Sequence, residues 1–288
     1  MYRKALLNGE FLYFVHAPPQ THFDEKPEKK RPKPPNPNDS MLYASVYYYW
    51  WAFLRLNQHY LECCENNGQG KLSKLYKDFG DVRDGQRHST DENSTLGKVD
   101  EFREWWIERG AYLFAEKQAK QNILTFDDLP KSHDMTGRIL LSIPLSGNIE
   151  VTTHAIGSLL RPMFRAHMAK HGHYSRAKFR PEDNYRLSNL HQILKIAHTY
   201  ETARNKGIKV KQSALFEDAD IPFNIKTNFA DDIEAIKSKI VSRSLKNATC
   251  LIANVVKGQF PVFADPQKND FVFYETKARK PRKKDKGE

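Results

Sequence analysis

The chain has 288 residues, of which 39% are hydrophobic, and it carries a formal charge of +11 at pH 7. That apolar content is enough to fill a core, which excludes a wholly disordered protein. The sequence has no run of about 18 apolar residues and no apolar signal core at its start, so we expect no membrane partner and a cytoplasmic location.

The three cysteines indicate neither a disulfide framework nor a metal site. Cys63 and Cys64 are adjacent and Cys250 stands alone, so the paired CxxC spacing of structural zinc sites is missing. This arrangement suits a reducing compartment. We therefore predict no cofactor and no structural zinc.

The chain begins with two segments of different character. Residues 1–17 include an apolar stretch, Leu6 to Val15, which predicts one strand or short helix docked on the body of the protein. Residues 18–40 contain seven prolines among dense charges. Such a segment buries too little apolar surface to offset its chain entropy, so we predict a mobile linker.

An aromatic-cored helical domain is predicted over residues 41–135. Helices are expected at 42–61, at 72–79, where Gly80 ends the helix, and at 98–117. Four tryptophans lie in pairs on the first and third of these helices, namely Trp50, Trp51, Trp105 and Trp106. Their helical spacing favours burial in a core over stacking on nucleic-acid bases.

A basic helical domain is predicted over residues 136–262. Its first element, residues 138–145, is short, apolar and contains a proline, which favours a strand. Three helices follow, each succeeded by a glycine typical of a helix end, at 148–170, 183–206 and 229–257.

The C-terminal part comprises a terminal strand or hairpin at 263–276 and a disordered basic tail at 277–288. The tail carries too much charge to fold alone. The whole pattern predicts a mainly α fold with a minor β component (α+β), built from an aromatic-rich N-terminal helical domain and a basic C-terminal helical domain.

Several stretches of the chain form a recognisable set. They are YWWAFLRLNQHYLECCE with LYKDFGDV, then FREWWIERGAYLFAE, and finally IVSRSLKNATCLIANVVKGQFPVF. Together they resemble a set of uncharacterised proteins from gammaproteobacterial chromosomes and mobile genetic elements, over most of residues 43–261. Members of that set read SRYLKQA where this chain reads SRSLKNA, so Ser244 replaces an aromatic residue. The resemblance implies no catalytic residues, and a mobile-element setting implies DNA transactions.

The positive charge is concentrated in two segments. Residues 151–215 carry 12 Lys and Arg against three Asp and Glu, a net charge of +9, and residues 277–288 carry seven against two, a net charge of +5. A concentrated positive field attracts a polyanion, most often nucleic acid. An acidic protein partner, or a solvated basic surface, would account for the same charge.

Cations of the basic segment and of the last predicted helix are the candidates for phosphate contacts. Helix 183–206 and the segment VKQSALFEDA after it have the rhythm of a helix-turn-helix, and helix 229–257 presents further cations on overlapping turns. A solvated helix face would carry the same residues. The candidate nucleic-acid-binding residues are Arg161, Arg165, Arg176, Lys178, Arg180, Lys209, Lys211, Lys239, Arg243 and Lys246.

The densest histidine group has two interpretations that involve chemistry. His167 and His171 are four residues apart and close to His173, but they lack the glutamate of an HExxH site, and their basic neighbours would repel a metal cation. His173 and Arg176 also match the HxxR element of tyrosine recombinases, although the spacing to the other groups of that site is wrong. The simpler interpretation is that these histidines lie at a helix end, beside solvent or phosphate.

A minimal nuclease site is the last catalytic pattern. Asp265, with Glu275 and Lys277, would hold a divalent metal and orient water, but it lacks the preceding helix of such sites. No glycine-rich phosphate loop or nucleophile elbow occurs. We therefore predict a non-catalytic nucleic-acid-binding protein of a mobile genetic element, with DNA as the favoured ligand. The alternative is a protein-interaction or structural component of a mobile element or phage, and the third hypothesis is a nuclease or recombinase accessory enzyme.

Overall fold

The computed structural model describes residues 3–7, 10–20, 32–36, 40–83, 101–116, 141, 143, 148–171, 177–209, 211–222, 230–267 and 270–274. Within these ranges the protein is mainly helical, with a minor β component and a core rich in aromatic rings, as the sequence predicts. The β component is a two-stranded antiparallel hairpin in the N-terminal segment, where we predicted one strand or a short helix. Most of the predicted linker, most of the strand predicted at 138–145 and the basic tail lie outside the described residues.

The N-terminal segment is a β-hairpin packed on the core. Strand β1, Arg3–Leu7, pairs antiparallel with strand β2, Glu10–Phe14, in register from Arg3 opposite Phe14 to Leu7 opposite Glu10. The Phe14 side chain is fully buried. Its ring centroid lies 5.9 Å from that of Tyr47 and 5.6 Å from that of Trp106, so aromatic packing docks the hairpin.

The residues that follow β2 also pack against the rest of the protein. His16 donates from Nε2 to the carbonyl of Pro181 at 3.0 Å, and its Nδ1 lies 3.1 Å from the Tyr185 hydroxyl. Pro18 and Pro19 are buried, although we assigned them to the linker. The chain thus stays against the core for several residues after β2.

Helix α1, Val46–Leu54, is the central element of the core, and all nine of its residues are buried. A helix that is apolar on every side needs partners on every side. The Trp50 ring has its centroid 6.2 Å from that of Phe79, 5.0 Å from that of Phe114 and 5.6 Å from that of Phe260. These partners come from three separate parts of the chain.

A buried asparagine ends the first helix earlier than expected. We predicted one helix over 42–61, but helix α2, Gln58–Glu65, begins separately after α1. The Asn57 side chain accepts a hydrogen bond from the first turn of α2 at 3.0 Å and donates one to the carbonyl of Ile252 at 2.9 Å. Asn57 therefore caps α2 and ties it to a helix far along the sequence.

Two further helical stretches complete the N-terminal half. Helix α3, Ser73–Phe79, ends at Gly80, whose φ of 69° favours glycine. Residues 101–105 are helical and continue into a π-helical turn, Trp106–Gly110, and then into helix α4, Ala111–Phe114. Both stretches lie where the sequence predicts helices.

Three helices are described after residue 176. They are α6, Leu187–Asn205, α7, Gln212–Asp218, and α8, Ala230–Val255. Gly207, with φ of 67°, follows α6, and Gly258, with φ of 75°, follows α8, as the glycine pattern predicts. Helix α8 contacts α1, α6 and α7.

Helix α8 joins both halves of the chain in one core. Leu245 and Ile252 of α8 belong to the same cluster of buried residues as Trp50 of α1. Met1–Ala115 and Ala177–Glu288 accordingly form one compact unit, and Glu116–Arg176 forms another. We expected helical domains at 41–135 and 136–262, but the division falls elsewhere because α8 packs its apolar face against α1 and α6.

The second unit contains helix α5, Ile149–His171, close to the predicted helix at 148–170. Pro162 lies inside this helix and has no N–H to donate to the preceding turn. No helix that the structure describes, α5 included, is long and apolar enough to cross a membrane.

The strand or hairpin predicted at 263–276 is not formed in its described part, residues 263–267 and 270–274. These residues bond to side chains of α8 instead. The Asn254 amide donates to two backbone carbonyls, and the Thr249 hydroxyl accepts from a backbone N–H. Side-chain partners thus satisfy backbone groups that a neighbouring strand would otherwise satisfy.

Replacing Trp106 by alanine should lower the free energy of unfolding by about 3–5 kcal/mol, the usual loss when a large buried aromatic site is emptied. Trp106 is only 2% exposed. Urea unfolding followed by circular dichroism measures the change. Phe263→Ala is the matched control, because Phe263 is 38% exposed, and it should change the stability by less than about 1 kcal/mol. Equal losses in the two variants would contradict the core position of Trp106.

The burial of His16 predicts a pH dependence of stability. Burial lowers the pKa of His16 below its ordinary value of 6.5, so the folded protein favours the neutral ring. The stability that depends on the neutral ring is complete above the unfolded pKa and is lost as the pH falls below about 6.5 towards the folded pKa.

Unfolding free energies measured by urea titration between about pH 7.5 and about pH 5 should therefore fall more steeply for the wild-type protein than for His16→Gln. The glutamine amide can still donate to the Pro181 carbonyl, but it does not titrate. Parallel pH profiles of the two proteins would show that His16 is not responsible.

Candidate nucleic-acid interface

Helix α8 presents three cations on one exposed face. Lys239, Arg243 and Lys246 are four and three residues apart, and all three are exposed. At 1.5 Å per residue they span about 10 Å along the helix. The opposite face, with Val241 and Leu245, is fully buried. We call Lys239, Arg243 and Lys246 the α8 stripe.

Stabilisation of the helix itself does not account for the α8 stripe. Asp232 and Glu234 lie near the helix start, where acidic residues favour the helix dipole. Cations favour the dipole only in the last turn, and the last turn of α8 contains none. The stripe lies in the middle of the helix, where its charges face solvent.

A second group of cations surrounds the turn between α6 and α7. Arg204, Lys206, Lys209 and Lys211 are all exposed, and none of them makes an ion pair within the part of the chain that the structure describes. We call these four residues the turn cluster. The sequence analysis singled out only Lys209 and Lys211 of these four, and Arg204 and Lys206 lie at the end of the helix predicted at 183–206.

Tyr274 is held beside the turn cluster. Its hydroxyl accepts a hydrogen bond from Gln212 Nε2 at 2.9 Å, and Gln212 directly follows Lys211. Its backbone N–H donates to the Thr249 hydroxyl at 3.1 Å. The basic tail 277–288 begins three residues later, so chain connectivity alone limits its start to about 11 Å from Tyr274.

Helix α7 is not a source of positive charge, although it follows α6 across a turn as a helix-turn-helix would. It carries Glu217 and Asp218 and no Lys or Arg. The Ser213 hydroxyl donates to Glu234 at 3.0 Å, and Lys237 pairs with Glu217. These side chains bind α7 to α8, so the cations available to a phosphate lie on the turn cluster and on α8.

Three of the candidate cations already have a carboxylate partner. The pairs are Lys178 with Asp78, Arg180 with Asp183 at 2.8 Å, and Lys246 with Asp265 at 3.5 Å. Exposed ion pairs contribute about 0–1 kcal/mol each, so a phosphate can replace Asp265 beside Lys246 with little loss, whereas Asp78 is only 13% exposed and its loss of Lys178 would cost more. The candidates without such a partner among the described residues of this unit are Lys209, Lys211, Lys239 and Arg243.

The remaining candidates belong to the separate unit. Arg161 is exposed on α5 and borders a shallow groove with His154 and Gly157. Arg165 lies one turn further along α5, and Arg176 lies outside the described residues. The positive segment 151–215 is thus divided between two units, and its part from residue 177 onward shares a unit with the α8 stripe.

A cleft of about 600 Å³ lacks the positive charge of the α8 stripe. Its charged lining residues are Asp81, Glu101, Glu104, Glu108, Lys77 and Arg109. Glu101 is paired with Arg55 and Asp81 with Arg83, so the charges around the cleft balance and no positive excess is available to attract a polyanion. The cleft therefore lies outside the candidate interface.

Residues 260–265, which we call the strap, cross the end of α8 next to the stripe. The Phe260 side chain is fully buried. Asn254, itself only 3% exposed, donates from its amide to the carbonyls of Val262 at 3.1 Å and Ala264 at 3.0 Å. The strap is fixed to α8 by these contacts.

The residues of the candidate metal and nuclease sites are only partly described. Asp265 pairs with Lys246 and lies 3.9 Å from Cys250 Sγ, whereas Glu275 and Lys277 lie outside the described residues. His167 and His171 lie on α5, and His173 lies outside the described ranges. No group of His, Cys, Asp and Glu suited to a metal ion occurs in the described part of the chain.

The cysteines are poor nucleophiles. Burial raises the pKa of Cys63 and Cys250, and it raises the pKa of Cys64 to about 12. Thiols with raised pKa values remain protonated near neutral pH, and the thiolate is the reactive form. These residues fill the core rather than supply reactive sulfur.

The chain matches no family model, no curated protein and no solved structure. The resemblance to proteins of mobile genetic elements therefore stays a prediction.

Replacing Asn254 by alanine should lower the free energy of unfolding by about 1–3 kcal/mol, because strap carbonyls lose their buried donor. Gln259→Ala is the matched control, since Gln259 is an exposed amide in the same region, and it should change the stability by less than about 0.5 kcal/mol. Urea unfolding measures both variants. Similar stabilities of the two would show that Asn254 does not hold the strap.

Proposed function

We propose that the protein binds nucleic acid, with DNA favoured, and does not catalyse a reaction on it. The binding surface consists of the α8 stripe, the turn cluster and the basic tail. The hydrogen bond between Tyr274 and Gln212 carries the proposal, because it holds Tyr274, which precedes the tail by three residues, beside the turn cluster. The turn cluster and the basic tail, which are far apart in sequence, then bind one ligand.

The absence of internal partners supports this function. Cations held close together repel one another, and in the turn cluster no described carboxylate offsets that repulsion. A polyanion removes the repulsion and releases the counterions condensed on its own phosphates, which favours binding. Arg180 extends the surface by exchanging its carboxylate partner for a phosphate.

The two kinds of segment contribute differently to affinity. The α8 stripe is held by a packed helix, so its side chains lose only their own rotamer freedom on binding. The tail must in addition give up chain entropy each time it is held against the ligand. We therefore assign the larger share of affinity per charge to the α8 stripe and the turn cluster.

Reversing Lys239 and Arg243 to glutamate should weaken binding and flatten its salt dependence. Each lost phosphate contact reduces the slope of log K against log salt by about one unit, so the double variant should lose about two. Anisotropy of fluorescein-labelled oligonucleotides, titrated at salt concentrations between about 50 and 200 mM, measures the slope.

The matched control reverses Lys71 and Lys74, which are equally exposed but lie in and beside α3. The change in net charge is identical, and the slope should remain that of the wild-type protein. Equal effects of the two double variants would mean that total charge, rather than the α8 stripe, determines binding. If the wild-type protein shows no salt-dependent binding, the basic surface serves an acidic protein partner.

A further inference from the structure

Phe263 is an exposed aromatic side chain in the middle of the strap. It is 38% exposed, and it makes no ring contact with any described residue. Phe260, three residues earlier, is fully buried, with its ring 5.6 Å from that of Trp50 and 5.7 Å from that of Phe53. One strap phenylalanine thus anchors the segment and the other faces solvent.

The backbone on both sides of Phe263 is fixed. The carbonyl of Phe260 accepts a hydrogen bond from the Glu182 N–H at 2.8 Å. The carbonyls on either side of Phe263 both accept from the buried Asn254 amide. These bonds hold the backbone that carries the Phe263 ring. An exposed ring presented by a fixed backbone is preorganised for a ligand.

The α8 stripe leads along the helix to the strap. Lys239, Arg243, Lys246, Cys250 and Asn254 follow one another at steps of three or four residues, so they occupy a single face of α8. The first three are exposed cations, and the strap covers the last two. Lys246 and Asn254 are about 12 Å apart along the helix axis.

We propose that Phe263 is a stacking platform for an unpaired base, so that the ligand of this surface is single-stranded nucleic acid. This inference rests on the proposed function. Phosphates lie along the α8 stripe, and a base at the end of that track stacks on the Phe263 ring. Cations that follow the backbone and an aromatic ring that receives a base are the two parts of single-strand recognition.

A duplex does not use such a ring in the same way. Its bases are already stacked on one another, so an exposed ring meets their edges and not their faces. Aromatic stacking is also tolerant of sequence, because every base has a π face. The expected preference is therefore for single strands over duplexes, with little dependence on base sequence.

Three variants test the inference by anisotropy with a labelled thymidine oligonucleotide and a labelled hairpin duplex. Phe263→Ala should bind the oligonucleotide about 5- to 150-fold more weakly, the range for one lost base stack, with an unchanged salt slope and unchanged duplex affinity. Phe263→Trp should retain or strengthen binding. Val272→Ala is the matched control, because Val272 is a similarly exposed apolar residue of the same C-terminal region, and it should bind as the wild-type protein does.

The tryptophan variant also gives a direct signal. The four native tryptophans are at most 7% exposed, so the added indole of Phe263→Trp accounts for fluorescence that is accessible to a ligand. The oligonucleotide should quench this added fluorescence, and the duplex should not. Urea unfolding of each variant establishes that it is folded.

The results separate this inference from the proposed function. Phe263→Ala binding the oligonucleotide with wild-type affinity, or losing affinity equally for duplex, would overturn the stacking platform while salt-dependent binding still supports the proposed function. An unquenched Phe263→Trp signal in the bound state would overturn it as well. If no protein in the set binds nucleic acid, both proposals fail.

Discussion

The burial of helix α1 on all sides is the constraint on which the rest of the unit depends. A helix made of Val, Tyr, Trp, Ala, Phe and Leu has no face that water solvates well. Covering it requires the N-terminal hairpin on one side, the π-helical turn and α4 on another, and α6 and α8 on the remainder. Because these elements are far apart in sequence, the chain folds as one unit around α1 and the segment Glu116–Arg176 is left as another.

The packing of this core also determines which residues of α8 are exposed. Once Leu245 and Val241 are buried, the residues on the other side of α8 must face solvent, and those residues are the α8 stripe. The same helix also contains Asn254, whose side chain is buried and donates hydrogen bonds to the strap. The cationic face and the exposed Phe263 ring are thus two consequences of how a single helix is packed.

Local sequence patterns predicted the parts of the fold that depend on local interactions. Glycines with positive φ follow α3, α6 and α8 where the pattern placed helix ends, and the paired tryptophans are buried. The prediction of one helix over 42–61 was wrong. Asn57 separates α1 from α2 and donates a hydrogen bond to the carbonyl of Ile252, which is too far away in sequence for a local pattern to indicate. The strand predicted at 263–276 was wrong for a similar reason, since its hydrogen-bond partners are side chains of α8.

The candidate interface likewise depends on contacts that local sequence patterns do not reveal. Net charge identified a basic segment, but it does not distinguish cations that have carboxylate partners from cations that lack them. The basic segment also crosses the boundary between the two compact units. Arg204 and Lys206 were missed because their place beside the turn between α6 and α7 follows from the exact end of α6, which the sequence pattern does not fix. Phe263 was missed because an apolar residue in an apolar segment predicts burial, and its exposure follows from the Asn254 hydrogen bonds.

The two parts of the proposed surface have different physical requirements, and the structure provides for each. Electrostatic attraction acts over about 10 Å at moderate salt and tolerates movement, so a tail tethered at Tyr274 is sufficient for it. Stacking of a base requires contact between two faces, so the ring must be held in place before the ligand arrives. In the proposal the tail contributes charge, whereas the strap contributes a ring on a backbone that hydrogen bonds hold against α8. If both proposals hold, affinity for any polyanion will vary with salt while the preference for unpaired bases will not, because that preference would depend on packing around α8 and not on charge.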